Sequence, residues 1–170
     1  VPLAEPAGVN HVAAFVPALL RHVPVDANSL AVRGLVLDAL GQRRPATSTF
    51  AARALAAAGA DVSIWGTNPE KNAAAEKELQ AINSSASAVQ CNVAEEAQVE
   101  ECMASVIERY GRIDGCFPNA GIGTQNQKPF FEHSNEDWHS VLDVNLTGVF
   151  FTLRAATRQM VEQGEGGSLV

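Results

Sequence analysis

Val62-Ser63-Ile64-Trp65-Gly66-Thr67-Asn68-Pro69-Glu70 reads as a strand, a turn and the start of a helix. A short apolar run gives way to Gly66-Thr67, then Asn68 stands where a helix cap accepts a backbone N–H and Pro69 fits the first helical turn. Upstream, the Ala- and Leu-rich stretch Phe50 to Ala58 stops at Gly59, a residue suited to the left-handed dihedrals that close a helix. Downstream, a helix over about Pro69 to Ile82 puts Lys71, Glu76, Lys77 and Glu78 on a solvated face, and Asn83-Ser84-Ser85 leads into a strand at Ala88-Val89-Gln90-Cys91. From Glu95 to Tyr110, apolar residues recur at Val99, Met103, Val106, Ile107 and Tyr110, the one-sided stripe of a helix on a sheet, and Gly111 ends it.

A fourth strand is expected at Ile113 to Phe117. Ser134-Asn135-Glu136-Asp137 reads as a capping box opening one long helix through Val144, Val149 and Leu153 to about Val161. Gly166 to Val170 forms a loop and the beginning of one more strand. Strands alternating with helices over short connections imply an α/β fold with a doubly wound parallel sheet, Rossmann-like and incomplete at the C-terminus, whose ligand crevice lies at the carboxyl ends of the strands.

Composition narrows the function. Twelve Lys+Arg against nineteen Asp+Glu give a net charge of -7, and the absence of a basic run argues against nucleic acid, whose affinity comes from clustered positive charge. No apolar stretch approaches the roughly twenty residues that span a bilayer. His11 to Leu20 is interrupted by Pro17 and preceded by no basic run, so a cytoplasmic location is expected. Cys91, Cys102 and Cys116 show no C-x-x-C pairing and are read as reduced, buried thiols; with His133 and His139 on a polar stretch, no metal site is expected. Residues 1 to 29 hold Pro2, Pro6, Pro17 and Pro24 among the eight prolines of the chain and read as an extension, leaving 30 to 170 as a partial dinucleotide-binding domain.

From about Phe50 to Val170 the chain resembles the short-chain dehydrogenase/reductase family. Four stretches carry the likeness: the helix Ala51 to Gly59 leading into Val62, Cys91-Asn92-Val93 after the third strand, Gly111-Arg112-Ile113-Asp114 followed by Pro118-Asn119-Ala120-Gly121, and Asp143-Val144-Asn145-Leu146-Thr147-Gly148-Val149-Phe150. Their order and spacing are specific to that family. The resemblance implies a cofactor, NADP or NAD, held at Gly66, Thr67, Asn92, Asn119, Ala120 and Gly121, with Asn145 as the catalytic-relay asparagine. It also implies a small carbonyl or alcohol substrate, as in 3-oxoacyl-carrier-protein reductases or polyol dehydrogenases, and homo-oligomers paired through the long helix at Phe150, Phe151 and Leu153. Asn145 interrupts a helix, where Asn is intrinsically unfavourable, so some interaction must compensate.

Three departures qualify what the resemblance implies. The window Gly41-Gln42-Arg43-Arg44-Pro45-Ala46-Thr47-Ser48 carries Gln42, Ala46 and Ser48 where the family places glycines under the pyrophosphate, so poor cofactor affinity is expected. Gly34 to Leu40 is a candidate first strand, but Asp38 would be a charge in a central strand, so residues 1 to 49 are read as a departure from the family's usual start. The family's Tyr-x-x-x-Lys has no counterpart here: Asp114 stands four residues after Tyr110, and Lys71, Lys77 and Lys128 are misplaced. No reductase activity is therefore expected of the chain as given. The alternatives are a non-catalytic interaction module on the same scaffold and, on slight grounds, a receiver-like domain using Asp38 as phosphoacceptor. Gly66 and Thr67 bring neither a carboxylate nor a guanidinium to the end of the second strand, which leaves NAD and NADP equally open.

Overall fold

The computed structural model describes residues 35–38, 47–123 and 128–170, with the backbone alone for 35–38 and 47–50. Five strands form one parallel sheet: β1 (Leu35–Asp38), β2 (Val62–Gly66), β3 (Ser87–Gln90), β4 (Gly115–Phe117) and β5 (Ser168–Leu169), in the order β3-β2-β1-β4-β5. The candidate strand around Leu35 is thus the central one, registered with Val62 of β2 on one side and Gly115 of β4 on the other. From β1 the chain steps outward to β2 and β3, then returns to β4 on the far side of β1. In open sheets of this kind such a reversal, at the carboxyl ends of β1 and β4, is where a ligand crevice is expected.

Helices α1 (Thr47–Ala57), α2 (Pro69–Gln80) and α3 (Glu96–Tyr110) are the crossovers, and α4 (Asn135–Leu142) and α5 (Val149–Glu162) lie between β4 and β5. The period-two alternation of the strands divides the core into two layers. Val62 and Ile64 of β2 pack with Ala52, Leu55 and Leu79 on the α1 and α2 face. Trp65, Cys116 and Ile113 pack with Val99, Met103, Val106, Ala155 and Met160 on the α3 and α5 face. The doubly wound arrangement follows.

Local chemistry sets the ends of the elements. Gly59 has φ 89°, and the N–H groups of Gly59 and Ala60 donate to the carbonyls of Ala56 and Leu55, at 3.0 Å each, closing α1 in a Schellman turn. Asn68 Oδ1 accepts from the Lys71 N–H at 2.9 Å, with Pro69 in the first turn of α2. Gly111, with φ 79°, ends α3, its N–H donating to the Ile107 carbonyl at 2.8 Å.

Three expectations need correction. The third strand runs Ser87–Gln90, so Cys91 lies just beyond it, its N–H making the last ladder bond to the Gly66 carbonyl of β2 at 3.0 Å. The fourth strand is only Gly115–Phe117: the Ile113 N–H and C=O are held by the Gln163 side chain, at 3.1 and 2.7 Å, rather than by a neighbouring strand. The long helix runs from Asn135 to Glu162 but is not α throughout: residues Asp143–Gly148 between α4 and α5 are wound as a π-helix.

Candidate functional site

The π-helical segment holds Asn145, and it answers the question that an Asn in mid-helix raises. Asn145 Oδ1 accepts from the Ile122 N–H at 2.8 Å and its Nδ2 donates to the Ile122 carbonyl at 2.9 Å. Single-turn π segments widen a helix by one residue and recur at functional sites. Here the bidentate amide joins that wider turn to the loop following β4. Gly121 lies against the same amide, since a Cβ on it would sit 3.6 Å from Asn145 Oδ1. Asn119, Ala120 and Gly121 are half-buried in this loop, and Ala120 packs on the α3 and α5 core.

The other expected residues gather on the opposite side of β1. Gly66 ends β2 buried and is registered with Gln90 of β3, and its carbonyl accepts from the Cys91 N–H and from Asn72 Nδ2 at 2.8 Å. Thr67 follows it, exposed, and its carbonyl accepts from Gln90 Nε2 at 3.3 Å. Asn92 is half-buried. Its Oδ1 turns inward to the Ala94 N–H at 3.3 Å, its carbonyl accepts from Glu95, and its own N–H donates to Gln98 Oε1 at 2.9 Å. The side-chain oxygen that sequence reasoning assigned to a ligand is therefore engaged in an Asx turn that starts α3.

The six expected cofactor residues form two groups along one carboxyl edge, Gly66, Thr67 and Asn92 beyond β2 and β3, and Asn119, Ala120 and Gly121 beyond β4. Asn145 is seated on the second group. Residues 39–46, which include Gln42 and Ala46 of the window read as lacking the family's glycines, lie outside the described residues. Thr47 and Ser48 open α1. Two grooves lie elsewhere: one of 340 Å³ between α3 and α5, lined by Met103, Ile107, Ala155 and Arg158, and one of 220 Å³ beside β3, lined by Ser63, Ser87, Ser105 and Arg109. Neither reaches the strand-end residues.

Sequence reasoning missed two residues that shape this edge. Asn72 Nδ2 donates both to the Gly66 carbonyl and to the Val89 carbonyl, at 3.1 Å for the latter, bridging the ends of β2 and β3. Gly148 is buried where the helix crosses the loop after β3: an added Cβ would meet Val93 Cγ2 at 2.7 Å and the Val93 carbonyl oxygen at 3.1 Å. The first could have been sought as an Asn one turn into a helix. The second carries no local signal.

Tyr110 sits far from all of this. Its hydroxyl donates to the Ser85 carbonyl at 2.8 Å and pairs with Ser87 Oγ at 2.8 Å, beside the amino ends of β2 and β3. Tyr110 packs half-buried on the core as its place in the apolar stripe implied, and its hydroxyl also pins the opposite edge of the sheet. The perturbed carboxyls lie away from the strand ends. At the start of α4, the Ser134 N–H donates to Asp137 Oδ2 at 3.0 Å and holds that carboxyl below the ordinary range, against an opposing desolvation. Among the described residues no cluster of His, Cys, Asp and Glu could hold a metal ion, and no helix is long and apolar enough to cross a membrane.

The profile of the family described as short chain dehydrogenase matches residues 48–170, which is most of the chain. The chain belongs to the short-chain dehydrogenase family. It is similar to the 3-oxoacyl-acyl-carrier-protein reductase FabG of Chlamydia pneumoniae, 32% identical over 108 residues that make up 64% of this chain and 43% of that protein. Among solved structures it resembles a short-chain dehydrogenase/reductase from Mycobacterium marinum, with TM-score 0.74 and 27% identity over 82% of this chain and 55% of that one. An NAD+-bound xylitol dehydrogenase gives TM-score 0.73 and 27% identity, covering 82% and 52%. The chain spans about half the length of the relatives it matches. Within this short-chain dehydrogenase, the strand-end loops and the Asn145 helix all fall inside the matched region.

Proposed function

We propose that this short-chain dehydrogenase chain provides the nucleotide-holding half of an NAD(P)-dependent oxidoreductase acting on a small carbonyl or alcohol. The observation that carries the reading is the bidentate clasp of Asn145 on Ile122, which fixes the loop 119–122 against the helix at the crevice between β1 and β4. The donor set at this edge fits a nucleotide's sugar and amide groups. Thr67 is exposed, and hydroxyl or amide groups suit ribose oxygens without demanding a charge. A nicotinamide bound there would supply the hydride chemistry. The chain's own part is positional: β2 and its turn hold one end of the ligand, and the Asn145-anchored loop holds the other.

Proton transfer is a different matter. Tyr110 is the sole tyrosine, and its hydroxyl is fixed at the amino edge of the sheet. A proton donor must come within hydrogen-bond reach of the reacting oxygen, and Tyr110 cannot reach the crevice. In this reading the chain by itself does not turn over substrate. NADPH oxidation in the presence of several ketones, compared with a heat-treated control, is expected to show no difference; turnover above the control would contradict it.

A second reading is favoured by one surface. Leu146 at 64% and Phe150 at 55% exposure lie one turn apart on the helix that starts at Asn135, with Val161 exposed three turns further on, apolar surface of the kind a helix uses to pair with another. Phe151, expected on that surface, instead packs half-buried on the core, because it lies one residue around the helix from Phe150. In this reading the chain is an interaction module whose long helix pairs with that of a second copy. Light scattering would show a concentration-dependent dimer that Phe150→Glu weakens; a monomer at high concentration would contradict it.

A further inference from the structure

β3 ends the sheet on one side: it pairs with β2, and no strand lies beyond it among the described residues. Such an edge presents a row of backbone N–H and C=O groups that a strand of another chain can join. Which groups face outward follows from the alternation of the strand. The Cys91 N–H donates inward, to the Gly66 carbonyl of β2, so Ser87 and Val89 also face β2, and Ala86, Ala88 and Gln90 turn their backbone groups outward. Helices α2 and α3 flank this edge without covering it, for a groove of 220 Å³ lined by Glu76 and Ala88 as well as Ser105 and Arg109 opens beside the strand. Side chains take the outward groups instead. Glu76 and Gln80 stand four residues apart on one face of α2. Glu76 Oε1 accepts from the Ala88 N–H at 3.2 Å, and Gln80 Nε2 donates to the Ala86 carbonyl at 3.0 Å. From α3 the Cys102 thiol donates to the Gln90 carbonyl at 3.6 Å. Each side chain matches the group it meets: an ionised carboxylate, which only accepts, faces the N–H, while the amide and the thiol supply donors to carbonyls.

We propose that Glu76 and Gln80 are a guard that keeps β3 from pairing with the β3 of a second copy of this chain. A joining strand must bond the same Ala86 and Ala88 groups that the two side chains hold. Being tethered to α2, those side chains act at an effective concentration that dilution does not change, whereas a second copy acts at its own concentration. The second copy is the partner that fits because the outward groups are symmetric about Ala88. Two β3 strands set antiparallel about a two-fold axis there would exchange both N–H to C=O bonds between their Ala88 residues, with each Ala86 opposite the other's Gln90. Removing the guard therefore uncovers a self-complementary edge, and the sheet becomes continuous across two chains.

The test compares the chain with and without Glu76→Ala and Gln80→Ala by light scattering over a concentration series, with Phe150→Glu in both so that pairing through the long helix does not contribute. Alanine favours the helix at both positions, so α2 is retained. The unguarded chain is expected to double in mass as its concentration rises, with its circular dichroism unchanged, while the guarded chain keeps its mass. Amide hydrogen exchange locates the contact. At low concentration the Ala88 amide exchanges faster in the unguarded chain than in the guarded one, and it slows again as the mass doubles. Two further variants separate the guard from a general loosening of α2. Glu76→Gln, whose amide oxygen still accepts from Ala88, keeps the mass of the guarded chain. Ala88→Pro removes the outward N–H without touching the bonds to β2 and returns the unguarded chain to the lower mass. An unguarded chain that holds the guarded mass at every concentration, a rise in mass with no slowing at Ala88, a rise that survives Ala88→Pro, or one that comes with loss of the helical signal would each overturn the proposal.

Discussion

Asn145 and Gly148 act within the same π-helical turn through opposite means, one by adding hydrogen bonds and the other by lacking a side chain. Asn145→Ala removes both bonds to Ile122. Because the amide is solvent-exposed, water replaces part of what is lost, so the expected destabilisation is about 1 kcal/mol, read as a lower midpoint in urea with an unchanged slope. Gly148→Ala places a methyl 2.7 Å from Val93 Cγ2, and relieving it requires the helix to move away from the loop after β3. Overpacking of this kind costs about 1–3 kcal/mol. Val93→Ala in the same chain should recover part of that cost, a coupling that a double-mutant cycle reads directly; additive losses would show that the two residues do not meet. Asn145 was legible because Asn is out of place in a helix and because the surrounding residues resemble a known family. Gly148 was not, since its constraint comes from a loop distant in sequence.

At the scale of elements, the start of α4 and the end of α5 are each held by side chains. Ser134 and Asp137 form a complete capping box, and Ser134→Ala is expected to cost about 1 kcal/mol. The Asp137 carboxyl is held below its unfolded value chiefly by the Ser134 N–H. Its contribution is therefore fully present above the ordinary carboxylate range and is lost as pH falls through the lowered value. Asp137→Asn should flatten that part of the acid unfolding curve; an unchanged curve would contradict the assignment. Gln163 clasps Ile113 at both backbone groups and donates to the Gly166 carbonyl at 3.0 Å, and this element boundary was hidden from sequence. The strand and helix order was legible because Gly59, Asn68, Gly111 and Ser134 act locally through dihedral preference or side-chain caps. The ends of β3 and β4, the π turn and the pinning of Tyr110 depend on partners across the sheet, which periodicity does not report.

For the whole molecule, the parallel order β3-β2-β1-β4-β5 places the two groups of strand-end residues on either side of β1. In the proposed function the carboxyl edge holds the nucleotide, while the Tyr110 hydroxyl is fixed at the opposite edge of the sheet. The central claim is that the carboxyl edge binds a nicotinamide nucleotide. It is tested most directly by titrating the isotope-labelled chain with NAD+ and with NADP+ while following backbone amide resonances. Saturable shifts at Gly66, Thr67, Asn92, Gly121 and Ile122, with a Kd on the order of 1 mM and none at Ser85 or Ser87, are predicted. Saturation without movement of those strand-end amides, or no saturable binding of either nucleotide, would contradict it.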